Sequence, residues 1–105
     1  MYKTAEKYSA LFLELGYRPN ILRLHVLRAL CMNEFYTDVA GLVEILEASG
    51  IPSEKEKVRM IIKRLNEEGF LLRKALPTQN KYLFCLRDYG ILEAEVRSRL
   101  QNRHQ

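Results

Sequence analysis

Residues 53–69, with the sequence SEKEKVRMIIKRLNEEG, decide the fold because they predict one amphipathic helix with both ends marked. Ser53 and Glu56 match a capping box, in which the hydroxyl and the carboxylate each accept a free backbone N–H. Gly69 suits the left-handed position that closes many helices. Apolar residues recur at helical spacing on one face, namely Val58, Ile61, Ile62 and Leu65. The sequence therefore predicts a helix over 54–68.

The other face of this helix is charged. At about 100° per residue, the side opposite the apolar stripe carries Glu56, Arg59, Met60, Lys63 and Glu67. Lys57 and Arg64 lie on one flank of that face, and Lys55 lies on the other. The helix is thus predicted to bury one side and to present a mixed but cationic side to solvent.

Three helices are predicted before this stretch, over residues 3–15, 20–33 and 38–49. Asn20 is the expected N-cap of the second, and Thr37 or Asp38 that of the third. The second helix carries an apolar stripe and further apolar residues around it, so we expect it to be largely buried; the stripe is Ile21, Leu24, Leu27 and Cys31. Its two arginines, Arg23 and Arg28, should then reach water at the edges through their long stems.

After Gly69 the periodicity changes. Residues 70–74 and 82–86 predict two strands, and the cluster at 77–80 predicts a turn between them. The hairpin over 70–87 carries basic side chains that we expect near its tip: Arg73, Lys74 and Lys81. Asp88 can cap a last helix over 89–102, whose stripe is Leu92, Val96 and Leu100, with Arg97, Arg99 and Arg103 beside it.

The predicted order is four helices, two strands and a helix, which is a mainly α fold with a small β-hairpin. The length of 105 residues suits a single domain over 1–105. Within it we expect an N-terminal helix in 1–18, a core over 19–87 and a C-terminal helix in 88–105.

Charge and composition bound the function only broadly. Seventeen Lys and Arg against thirteen Asp and Glu give a net charge of +4, which mildly favours a polyanionic partner. Cys31 and Cys85 lie in apolar runs and are expected to be buried thiols. We find no apolar stretch of about 18 residues and no signal-peptide pattern, so we predict a cytoplasmic protein without a membrane span.

Neither metal binding nor catalysis is indicated. His25 and His104 are far apart, and no cysteine pair or carboxylate cluster supplies ligand spacing. A Gly-rich phosphate loop is absent, as is a nucleophile paired with a histidine. We therefore predict no cofactor, no metal and no enzymatic activity.

The order of elements resembles a winged helix-turn-helix domain over residues 19–100. In particular, a capped helix, Gly69, two strands and then residues 86–90 leading into a helix are similar to the way many bacterial and archaeal winged-helix regulators end. This resemblance implies binding of double-stranded DNA and a role as a small transcriptional regulator. The helix over 54–68 would be the recognition helix, and the hairpin would be the wing.

A narrower resemblance is to the DNA-binding half of the ferric uptake regulator family. It is carried by Gly16, Arg18, Arg23, Val26, Leu27, Leu42, Leu46, Gly50, Val58, Ile62, Leu65, Gly69 and Phe70. The family's Thr-Val-Tyr-Arg signature is replaced here by Lys57-Val58-Arg59-Met60, so its base-contacting Tyr and Arg do not transfer. The family's metal-binding dimerisation domain is not expected, since the sequence stops where that domain should begin.

The resemblance implies that the N-terminal half of the 54–68 helix enters the major groove. The candidate DNA-binding residues are Lys55, Glu56, Lys57, Arg59, Met60 and Lys63 on the helix, with Arg73, Lys74 and Lys81 on the wing. The alternatives are that the helix charges only solvate a surface and that the wing charges only block sheet aggregation.

Two further expectations concern partners. We expect a homodimer through the N- and C-terminal helices, because such regulators usually read two half-sites. Alternatively, the Leu92 stripe packs back on the first helix.

The alternative function is a winged-helix protein-interaction module, an adaptor or anti-regulator that does not bind DNA. Glu56, Met60 and Glu67 on the exposed face make that alternative credible.

Overall fold

The computed structural model describes residues 4–33 and 35–102. Its elements are α1 (Ala5–Glu14), α2 (Ile21–Met32), α3 (Val39–Ala48), α4 (Lys55–Glu67), β1 (Leu71–Leu76), a 3-10 turn (Pro77–Gln79), β2 (Lys81–Leu86) and α5 (Tyr89–Asn102). This order confirms the predicted mainly α fold with one antiparallel hairpin. The parts of the predictions that concern Lys3, Arg103 and His104 lie outside the described residues.

Buried apolar side chains from all five helices and the hairpin form one core. An aromatic group joins α1 to the residue that leads into β1: the ring centroids of Phe12 and Phe70 are 5.2 Å apart, edge to face. The Tyr8 hydroxyl donates a hydrogen bond of 2.7 Å to the backbone carbonyl of Arg87, just after β2. The first helix therefore anchors both ends of the hairpin.

Most helix ends follow the local signals in the sequence. Side chains of Asn20, Asp38 and Asp88 accept backbone N–H groups in the first turns of α2, α3 and α5, at 3.0, 2.8 and 3.2 Å. Of the two caps considered for α3, Asp38 is therefore the one used. Gly69 closes α4 with φ of 82°, a conformation that glycine adopts without the steric cost of a Cβ.

The capping box predicted at the start of α4 is wrong. The N-cap is Glu54, which makes no side-chain cap hydrogen bond. The Ser53 hydroxyl instead donates to the carbonyl of Ile51 at 3.1 Å, and the Glu56 carboxylate binds Arg59 at 2.8 Å. Because the helix begins one residue later than expected, Lys57 and not Glu56 occupies the third helical position, where the box requires an acid.

The prediction that Arg23 reaches water is also wrong, since only 7% of the residue is exposed. The core side of α2 is formed by Val26, Leu27 and Leu30, and helical spacing places Arg23 in the middle of that side. Its guanidinium stacks on the Phe12 ring, 4.3 Å from the centroid. The same geometry turns Ile21, the first residue of the predicted stripe, outward, with 69% of it exposed.

The apolar stripe of α5 packs against other elements of the same chain. Leu92 and Val96 are fully buried in the common core. The helix is held against α1 by an edge-to-face contact between Tyr8 and Tyr89, whose ring centroids are 5.4 Å apart, and by an ion pair of 2.8 Å between Arg97 and Glu14. The structure thus shows the alternative weighed in the sequence, in which this stripe packs back on the first helix.

Candidate nucleic-acid interface

The outer side of α4 forms a continuous exposed surface. Val58, Ile62 and Leu65 are buried and fasten the helix to the core. The candidate residues on the opposite side, and Lys55 on one flank of it, are all exposed. We call this surface the recognition face: Lys55, Glu56, Arg59, Met60 and Lys63. The sequence therefore placed the two sides of this helix correctly. Lys57 is exposed on the flank.

Acidic neighbours partly neutralise the cations of the recognition face. Arg59 pairs with Glu56 at 2.8 Å, and Lys57 pairs with Glu54 at 3.9 Å. Both pairs are solvent-exposed, so each contributes little to stability. Either cation can therefore leave its carboxylate and bind another anion at small cost in free energy. Within the described part of the chain, Lys55 and Lys63 form no ion pair, and they are the cations most available to a polyanion.

The two ends of α4 differ in charge. Its C-terminal end borders a cavity of about 590 Å³ that is lined by Glu67, Glu68 and Glu95 and also by Arg99. Glu68 pairs with Arg99, and Glu95 pairs with Arg87. The N-terminal end carries Lys55 and Lys57 and, as in any helix, the positive end of the backbone dipole. A polyanion is therefore attracted more strongly to the first half of α4 than to the Glu67–Glu68 end.

The wing is the β1–β2 hairpin, in which Arg73 pairs with Phe84, Lys74 with Leu83 and Leu76 with Lys81. The expectation that all three basic residues lie near the tip is wrong for Arg73 and Lys74. They lie in the middle of β1, because β1 extends two residues beyond its predicted end. Lys81 does lie next to the turn.

The two cations of β1 each lie over an aromatic ring. The Arg73 guanidinium lies over the Tyr82 ring, 4.3 Å from its centroid, and the Lys74 ammonium lies 5.9 Å from the centroid of the Tyr36 ring. Successive residues of a strand point to opposite sides, so the two cations occupy different faces of the wing. Both remain exposed.

Two contacts that the sequence did not indicate tie the wing to the start of α3. Thr37 and Phe84 form an antiparallel bridge with hydrogen bonds of 2.9 and 2.7 Å. The Lys81 ammonium binds the Asp38 carboxylate at 2.9 Å. Asp38 therefore caps α3 with one oxygen and holds the wing with the other, and Lys81 is less available to a ligand than the sequence suggested.

We expect Asp38→Ala to destabilise the protein by about 0.5–2 kcal/mol near neutral pH, because the substitution removes both the helix cap and the ion pair with the wing. The hydrogen bond from the Gly41 N–H, and next the Lys81 ammonium, hold the pKa of Asp38 below its ordinary value. A lowered pKa stabilises the fold above the pKa of the unfolded chain, and this contribution disappears as pH falls through the folded value.

Urea unfolding at about pH 7 and about pH 3 measures this effect. The difference between the wild type and Asp38→Ala should narrow at acid pH. Glu44→Ala, which removes an exposed acid from the same helix, should change stability by less than about 0.5 kcal/mol at neutral pH. An Asp38→Ala deficit of the same size at both pH values would contradict the argument.

Sequence reasoning missed the surroundings of the flank residue Arg64. Its guanidinium lies over the Tyr17 ring, 5.2 Å from the centroid, and the Tyr17 hydroxyl donates a hydrogen bond to Glu68. Tyr17 also stacks on Phe12. No spacing rule connects residue 17 with residues 64 and 68, so the sequence held no signal for this cluster.

Among the described residues there is no group of three or more His, Cys, Asp or Glu side chains that could hold a metal ion. In the same residues, no helix has the length and apolar character needed to cross a membrane.

Comparison with known proteins identifies the fold. No protein-family model matches this sequence, and no curated protein matches it. One similar solved structure is the X-ray crystal structure of a transcriptional regulator of the MarR family from Rhodococcus sp. RHA1. The two chains share 18% sequence identity with a TM-score of 0.51, and the similarity covers 96% of this chain and 68% of the other. The five helices and two-stranded hairpin thus form a winged-helix fold.

Proposed function

We propose that this chain binds double-stranded DNA and acts as a small transcriptional regulator, with the N-terminal half of α4 in the major groove and the β1–β2 hairpin as the wing. The observation that carries the proposal is the recognition face, an exposed cationic side of a helix that is fastened by its opposite side to a winged-helix core. A major groove is wide enough to admit such a helix.

The contacts divide by type. Lys55, Lys57 and Lys63 are suited to phosphates, since an ammonium is a flexible point charge. Arg59 is suited to a guanine edge, which accepts the two donors of a guanidinium fork. Arg73 and Lys74 of the wing are suited to the DNA backbone. The relative of known structure is described as a transcriptional regulator, which agrees with this assignment.

The proposed assembly is a homodimer through α1 and α5. Leu92 and Val96 are buried in the core. The two-fold contact would therefore use apolar side chains that remain exposed on these helices, Leu13 and Ile91.

The similarity to the ferric uptake regulator family stays a prediction from the sequence.

The test is fluorescence anisotropy of random-sequence duplex DNA with the purified protein, at about 50 and about 200 mM salt. If about six phosphates are neutralised per dimer, the slope of log affinity against log salt should be roughly −5, so that affinity falls about a thousandfold over this range. The stoichiometry of the titration reports the dimer. An affinity that does not change with salt would contradict the proposal.

A protein-interaction module is the second candidate, and one observation favours it. Met60 is 67% exposed in the middle of the recognition face, and flexible methionines are common on adaptable protein-binding surfaces. This candidate predicts no DNA binding at the lower salt concentration and recovery of one partner protein at high salt. Replacing Met60 with Ala should then abolish that recovery.

A further inference from the structure

A second basic site lies beside α4, in a cavity of about 220 Å³ between α1, α2 and α4. We call it the arginine pocket; its polar lining residues are Tyr17, Asn20, Arg23 and Arg64. No acidic residue lines it. Met60 also lines this pocket, so the pocket opens next to the recognition face.

Arg23 carries a buried charge that lacks a counterion. Its guanidinium donates one hydrogen bond of 2.8 Å, from Nη2 to the carbonyl of Arg18, and its Nε has no acceptor. Among the described residues, no carboxylate lies within 4.0 Å of it. A buried ion without a partner is costly, and a nearby anion would compensate it.

Two further groups point to an anion. Arg64 places a second guanidinium at the pocket, and it is exposed. The start of α2 also borders the pocket through Asn20. In that turn, the N–H of Arg23 is satisfied by Asn20, whereas those of Ile21 and Leu22 have no acceptor among the described residues. Free N–H groups at the start of a helix favour an oxyanion.

We propose that the arginine pocket is an oxyanion site that holds one backbone phosphate of the DNA. The assignment rests on the proposed function, since phosphates line both edges of the groove that α4 would enter. Guanidinium groups and helix N-termini are common phosphate ligands. The pocket lies on the Arg64 flank of α4, so this phosphate would fix the position of the recognition helix without reading sequence.

The first experiment repeats the DNA titration with Arg64→Ala, an exposed position whose replacement should leave the fold intact. The slope of log affinity against log salt should become shallower by about 0.9 for each phosphate that the variant no longer neutralises. The matched control is Arg28→Ala, which removes the same charge from an exposed position of α2 outside the pocket and should retain the wild-type slope. Arg64→Lys should recover only part of the slope, because it keeps the charge but removes the guanidinium fork.

The second experiment needs no DNA. Inorganic phosphate is added to the labelled protein at constant ionic strength, with chloride as the reference, and NMR spectra are recorded. We expect shifts of the backbone N–H signals of Ile21 and Leu22 and of the Nε–H signal of Arg23. These shifts should persist in Arg28→Ala and vanish in Arg64→Ala.

The outcomes separate the two proposals. If the wild type binds DNA with a steep salt dependence but Arg64→Ala has the same slope as Arg28→Ala, the phosphate site is wrong and the proposed function stands. If the wild type does not bind DNA, the proposed function fails; shifts with inorganic phosphate would then overturn the DNA assignment in favour of a free phosphate ligand. A reduced slope with matching shifts supports the site.

Discussion

Phe70→Ala should lower the free energy of unfolding by about 3–5 kcal/mol, the usual cost of emptying a fully buried aromatic position. Phe70 is completely buried, and its ring contacts those of Phe12 and Tyr8 edge to face or tilted. Its backbone carbonyl also accepts a hydrogen bond of 3.0 Å from the N–H of Arg87. The replacement would therefore loosen the base of the wing where it joins α1 and α4.

Urea unfolding with Phe35→Ala as the matched control measures this effect. Phe35 is 75% exposed, so its removal should change stability by less than about 0.5 kcal/mol. Equal decreases in stability for the two variants would mean that Phe70 does not form a packed junction between the wing and α1. A changed dependence on denaturant in Phe70→Ala would indicate that the native or denatured state has changed in compactness or that the unfolding is no longer two-state.

Arg59→Ala should weaken binding to the preferred DNA site by about 1–3 kcal/mol and reduce the preference for that site over random duplex. Arg59 is exposed at the middle of the recognition face. Its ion pair with Glu56 is solvent-exposed, so replacing that pair by hydrogen bonds to a base edge costs little free energy. Removing a base-reading side chain weakens binding to one sequence, whereas removing a phosphate-binding side chain weakens binding to all sequences.

The measurement is anisotropy titration on a duplex selected from random sequences and on the unselected pool. Arg28→Ala is the matched control, since Arg28 is also exposed and paired with a glutamate, Glu6, but lies on α2; it should leave both affinities unchanged. Lys74→Ala should weaken binding to both duplexes equally. If Arg59→Ala also weakened both equally, Arg59 would bind phosphate and would not read bases.

The local elements of the fold were readable from the sequence because each depends on neighbours along the chain. Helical spacing predicted which side of α4 is buried, and cap residues predicted the starts of α2 and α5. Gly69 predicted the end of α4. The failure at Ser53 was also local: a hydroxyl can bond to a preceding carbonyl as well as to a following N–H, and here it bonds to Ile51.

The candidate site was predicted less completely. The exposed cations of α4 follow from periodicity alone, but the partners of the wing cations do not. The sequence predicts Lys81 as a DNA-binding residue of the wing, and the fold brings it to Asp38, 43 positions earlier. The ends of β1 and β2 also depend on how the two strands pair. Because the paired region extends to Leu76, Arg73 and Lys74 lie farther from the tip than the sequence predicted.

By itself the sequence determined the order of the elements, the hairpin and the two-sided character of α4, since periodicity, caps and glycines act over a few residues. The tertiary structure alone decided that Arg23 is buried against Phe12, that Arg64 meets Tyr17 and that the wing is tied to Asp38. The reason is physical: a long charged side chain can reach water or fold back on apolar surface. Packing between distant segments decides which of the two occurs.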